Sequence, residues 1–279
     1  MAEGLKIKDI APSITTFTTP FNRFAPLGRS LPTFVAVGNR ATAIRMHDGR
    51  ILLLNPIKLE PSIQRKLEDL GGVNFLACDL GHHMYVADYL KVWPNAKSIG
   101  VPGLKGKRKD VRWDFIYSDK RDKVENVLGF AEDIETVLFE GFITYCVAWY
   151  HKPTKTLIQS DLLMNLPCTE QYRSSSALKG PGSWAFAQVA HARSNWFRRL
   201  IWYIATVDYA LMRRDVKKVA EWDIEKIIPC HGDIIEHGGR GAWAEANKWF
   251  LTDSPRPGFV RSLMDRIMFM RLIRWIFLM

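Results

Sequence analysis

The sequence is short of the features that would tie it to a secreted, fibrous or membrane-spanning class. Its four cysteines, Cys78, Cys146, Cys168 and Cys230, form no CxxC pair and no even framework. No disulfide scaffold is therefore expected, and reduced thiols in a reducing, intracellular (cytoplasmic) setting are. The opening MAEGLKIKDIAPS lacks the apolar core of a signal peptide. Nothing before the last turns is apolar enough to span a bilayer. Internal repeats and low-complexity tracts are also absent.

What is present is ordinary for a globular chain. The 279 residues are 47% hydrophobic and 24% charged, enough to bury a large core without disulfides. The formal net charge is +10, which raises nucleic acid, an anionic membrane or an acidic substrate as partners. Much of that charge sits in KGKRKDVR (Lys105 to Arg112), FRRL (Phe197 to Leu200) and MRRDVKK (Met212 to Lys218). No nucleic-acid-binding module accompanies these runs, so they read as solvated faces and no nucleic-acid partner is expected.

Along the chain, short β-type runs at Thr33–Val37, Ala41–Met46 and Arg50–Leu54 are separated by Gly38-Asn39 and Asp48-Gly49, the latter a strong hairpin signal. Pro61, the stripe Ile63, Leu67, Leu70 and the stop at Gly71 predict a helix. A strand at Val73–Cys78, a helix from His83 to Trp93 and a strand at Ala96–Val101 follow. The second half brings strands at Trp113–Tyr117, Ile134–Phe139, Ile143–Trp149 and Thr156–Ser160. After a long irregular stretch come a helix from Val207 to Trp222, a strand at Lys226–Pro229 and a helix from Arg240 to Phe250. Two halves, each strand-rich and then helical, imply a layered α/β/β/α domain. It covers 1–254, with 165–204 as a lid-like insertion rich in Ser, Gly and aromatics. Those aromatics either line an apolar substrate pocket or pack the lid onto the body.

Three segments put metal-binding side chains just past predicted strands, where function gathers in α/β sheets. FLACDLGHHMYVADYL carries His82 and His83, TLIQSDLLMNLP carries Asp161, and KIIPCHGDII carries His231. Histidines and a carboxylate converging there are the usual ligands of zinc or iron. Each also has a plainer reading: a polar pair at a helix start, a turn cap and a turn residue. Asp79 and Asp233 read as partners of an imidazole or as solvated loop acids, the latter preferred. Cys78 reads as inert packing rather than a ligand. His47, His151, His191 and His237 are expected at the surface.

The order strand–His cluster–helix, strand–Asp, strand–His-Gly resembles the metallo-β-lactamase superfamily over roughly residues 10 to 250. The likeness is nearest to a branch known only as a domain of unknown function. The resemblance implies a four-layer α/β/β/α sandwich and a metal centre. The family's first segment is His-x-His-x-Asp-His. With His83 placed on its last His, Cys78 and Leu80 stand where the first two should be. VLFEGFITYC before Asp161 offers no third. One metal position is thus degenerate. The other keeps His83, Asp161 and His231, with His82 as substitute fourth ligand, for one divalent ion, zinc or iron.

The expected function is a single-metal-dependent hydrolase acting on a small-molecule ester, lactone, thioester or related substrate. Two other readings stand beside it: a catalytically inactive scaffold or binding protein with this fold, and an iron-dependent oxidase. The stretch 255–279 reads as an apolar, basic helix bearing Arg261, Arg266, Arg271 and Arg274. It either makes a peripheral contact with an anionic membrane or packs on the body or a second subunit.

Overall fold

The computed structural model describes residues 4–21, 36–118, 123–172 and 181–252. The apolar C-terminal stretch 255–279 lies outside them. Among the described residues, eleven strands form two sheets. In the first, β1 (Lys6–Ala11), β2 (Ile14–Thr19), β3 (Asn39–Arg45) and β4 (Ile51–Leu54) run antiparallel. β5 (Phe75–Ala77), β6 (Lys97–Gly100) and β7 (Phe115–Ile116) extend it in parallel. In the second, β8 (Ile134–Leu138), β9 (Val147–His151) and β10 (Thr156–Gln159) are antiparallel, and β11 (Lys226–Pro229) joins β10 in parallel.

The second sheet is buried on both faces, and strand alternation sorts its side chains. Trp149 and Val147 of β9, Ile158 of β10 and Ile228 of β11 share a core with the first sheet. Their neighbours Ala148, Tyr150, Leu157 and Ile227 face the opposite way. They pack with Met212, Val216 and Val219 of helix Tyr209–Ala220 and Trp243 of helix Gly239–Ala246. Helix Pro61–Asp69 contributes Ile63 and Leu67 to the first core. Pro61 starts it, and Gly71, at φ +117°, ends it with its amide on Glu68 O. The architecture is an α/β/β/α sandwich.

Several expectations shift. β1 and β2 fall within the first fifty residues, which read as strands joined by tight turns, but ahead of the three runs named there. Thr33–Val37 lies mostly outside the described residues, and Ala36 and Val37 are not strand. The strand expected at Ile143–Trp149 begins only at Val147, because Gly141 to Tyr145 make a turn, with Tyr145 at φ +51°. His83 precedes its helix, which runs Val86–Val92. The described part of 165–204 is not irregular. It holds the short helices Thr169–Tyr172, Pro181–Ala187 and Asn195–Leu200 and a wide turn at Ile201–Ala205. Its Phe197 and Trp202 are buried against the body, whereas Trp184 and Trp196 are exposed.

His151 is not a surface residue. It points into the protein on β9, 1% exposed, with Nδ1 2.7 Å from Thr154 Oγ1. Burial lowers its pKa. His47 is exposed as expected and pairs with the buried Asp133 at 2.7 Å, a hydrogen bond that raises its pKa. A raised histidine pKa stabilises the fold fully below the ordinary value of about 6.5, and the contribution fades as pH rises through the folded-state value. His47→Gln should therefore lower the melting temperature more at pH 5.5 than at pH 9. An equal loss at both would show that the pair contributes no linkage.

Candidate metal centre

Strand pairing builds the site. β10 and β11 lie side by side with Gln159 opposite Pro229. Asp161 and His231 each stand two residues beyond that pair, so the parallel register carries them to the same level. The Cys230 amide on Gln159 O continues the ladder past the strand ends. His82 arrives from the other sheet, on the loop after β5.

These three side chains converge. His231 Nε2 lies 3.3 Å from Asp161 Oδ1 and 3.4 Å from His82 Nε2. His82 Nε2 lies 4.0 Å from Asp161 Oδ1. All three residues are buried. His231 Nδ1 is 2.7 Å from the main-chain oxygen of Gly38, and His82 Nδ1 is 2.9 Å from Asp79 Oδ1. Each Nδ1 faces an acceptor and so carries the proton, which leaves the Nε2 lone pairs turned toward each other and toward a carboxylate. A cation among the three satisfies that arrangement. Ligands about 2.0–2.1 Å from a tetrahedral zinc stand about 3.3 Å apart. Two of the three separations match, and the third must close by about 0.7 Å.

Close by lies a second group of donors, Asp79, Cys146 and Asp161, all buried. Thr144 Oγ1 and Ser160 Oγ sit 3.0 and 3.1 Å from Cys146 Sγ. Burial pushes the Cys146 thiol well up, and the Asp79 and Asp161 carboxylates push it further.

The structure brings together three of the four residues expected from sequence. His83 is the exception: its Nδ1 is 3.3 Å from Arg108 Nη1, which also donates to the His83 and Met84 main-chain oxygens. Arg108 came from a run read only as a solvated face; its guanidinium in fact braces the His83 loop. Asp79, preferred as a solvated loop acid, is 3% exposed and bonded to His82. Asp233 does not reach an imidazole; its carboxylate accepts from the Glu170 amide and Thr169 Oγ1. Cys78 is a buried thiol, and burial raises its pKa well above the ordinary range. Ser160 and Thr144 went unnoticed. The polar Ser-Asp step at the end of an apolar strand was the available signal.

Gly232, directly after His231, has φ +94°, and a Cβ there would overlap the Asn165 main chain. Gly232→Ala should destabilise the fold by about 2–4 kcal/mol, from left-handed strain plus the backbone clash. An unfolding free energy within 1 kcal/mol of wild type would show that the loop relaxes freely.

No protein-family model matches the chain, and no curated protein matches it. Solved structures do. A metallo-β-lactamase from Pontibacter korlensis aligns at 9% identity over 89% of this chain and all of its own, with TM-score 0.55. The mono-zinc form of the FIM-1 metallo-β-lactamase from Pseudomonas aeruginosa gives 12% identity, 90% and 98% coverage and TM-score 0.53. The Flv1 flavodiiron core from Synechocystis sp. PCC6803 gives 14% identity, 90% and 62% coverage and TM-score 0.59. At such identities the likeness fixes the fold alone: the chain has a metallo-β-lactamase-like fold.

Proposed function

We propose that the chain is a single-metal-dependent hydrolase acting on a small-molecule ester, lactone, thioester or related substrate. The observation that carries this reading is the convergence of His82 Nε2, His231 Nε2 and Asp161 Oδ1 at the ends of three strands. Two imidazoles and one carboxylate leave open positions on an ion. A divalent ion held there would lower the pKa of a bound water and polarise the scissile group. The chain's own part is to present two Nε2 lone pairs and one carboxylate oxygen, with both rings locked by the bonds at Nδ1.

One ion, rather than two, is supported by the chemistry of the neighbouring donors. Asp79 Oδ1 already accepts from His82 Nδ1 and from the Gly81 and His82 amides, and its other oxygen accepts from Ser160. Cys146 Sγ lies against the Thr144 and Ser160 hydroxyls. Zinc and iron both suit the donor set. Two histidines and one carboxylate with open positions also match oxygen-activating iron centres, and the flavodiiron core among the structural neighbours favours keeping the iron-dependent oxidase as a second reading.

The test is turnover. Zinc-loaded and iron-loaded protein should hydrolyse at least one member of a panel of aryl esters, lactones and thioesters. Chelation, and Asp161→Asn, should remove that activity. A metal-loaded protein silent on the whole panel would sink the hydrolase reading, and oxygen uptake by the iron form alone would replace it with the oxidase.

A further inference from the structure

We propose that Asp79 is a positioning residue for the metal centre: it holds His82 in the one tautomer and orientation that presents Nε2 to Asp161 and His231. The inference rests on the metal-site reading above and adds a residue to it.

His82 stands on a loop, not on a strand or helix, so nothing regular in the backbone aims its ring. Asp79 does this through both oxygens. Oδ1 accepts from the Gly81 amide at 2.8 Å and the His82 amide at 3.1 Å, closing the turn that carries His82. The same oxygen lies 2.9 Å from His82 Nδ1 and fixes the ring on that turn. Oδ2 accepts from Ser160 Oγ, and Ser160 is the residue just before Asp161. One carboxylate therefore ties the loop after β5, in one sheet, to the end of β10, in the other. It sets the first proposed ligand against the second. Asp79 is 3% exposed and Ser160 1%, so these bonds act where water does not compete. An anion on Nδ1–H also makes Nε2 a stronger donor to a cation than a neutral acceptor would.

Asp79→Ala and Asp79→Asn test this. Long-range proton–nitrogen spectra of the metal-free protein read the His82 tautomer, and competition with a chromophoric chelator reads zinc affinity. Wild type should show His82 protonated at Nδ1 only. Asp79→Ala should lose that single tautomer and bind zinc about 10–100-fold more weakly. Asp79→Asn, whose amide oxygen can still accept, should restore the tautomer and recover part of the affinity. The isosteric variant keeps the test alive if the alanine protein does not fold. A wild-type tautomer together with unchanged affinity in Asp79→Ala would overturn the proposal. So would a changed cobalt(II) absorption spectrum in Asp79→Asn, which would make Asp79 a ligand. Wild-type protein that binds no metal would sink the metal-site reading instead, and the tautomer would still decide the role of Asp79.

Discussion

His231→Ala is expected to weaken zinc binding at least about 100-fold while leaving a folded protein. Four-ligand zinc sites bind with about 10–16 kcal/mol, or about 3 kcal/mol for each ligand, and each 1.4 kcal/mol is about tenfold. A site that starts with three protein ligands has little to spare. The fold loses less. The ring gives up its bond to Gly38 O and its stacking on Phe21, whose ring centre is 6.3 Å away. One net hydrogen bond contributes about 0.5–1.5 kcal/mol. Chelator competition and thermal melting, run on the same preparation, separate the two effects. Unchanged zinc affinity would remove His231 from the site.

The second large effect is expected behind the site. Arg40 is 1% exposed on β3. Its guanidinium donates to the main-chain oxygen of Pro229, at the end of β11, and to Glu170 Oε2 at 2.7 Å. Its own main-chain oxygen lies 3.3 Å from Cys230 Sγ. A single buried cation thus fastens the first sheet to the strand that delivers His231. Arg40→Met keeps most of the volume and removes both bonds, stranding the Pro229 carbonyl. Hydrogen bonds to a charged group contribute about 1.5–3 kcal/mol each, and losing one partner of a buried pair costs about 3–5 kcal/mol. Glu170 keeps some contact with water, so about 3 kcal/mol is expected in urea unfolding. A loss below about 1 kcal/mol would mean that the pair is dispensable.

The layered fold was legible because its elements obey simple periods. Lys226–Pro229 is a strand with the bounds that the sequence suggested, and the Pro61 helix begins and ends on its expected signals. β1 was harder to see: KIKDIA is an edge strand with Ile7, Lys8 and Asp9 exposed, so pairing with β2 rather than an apolar pattern makes it a strand. Asp161 and His231 were legible for a physical reason. Each follows an apolar strand directly, and parallel pairing does the rest. His82 and His83 were not separable, since adjacent residues on an irregular loop can point either way. Asp79 decides the matter by capturing the His82 ring, and Arg108, 25 residues on, takes the other. The Arg108 contact, made from so far along the chain, leaves no local pattern. The same holds for Ser160, at the end of an expected strand, and for Cys146, inside one.

The most direct test is the metal content of tag-free protein, measured by elemental analysis as purified and after anaerobic reconstitution with zinc and with iron. About one ion per chain is expected, falling to near zero in a His82→Ala/His231→Ala double variant. No ion under any of these conditions, two per chain, or one that persists in the double variant would contradict a single-ion centre built on His82, Asp161 and His231.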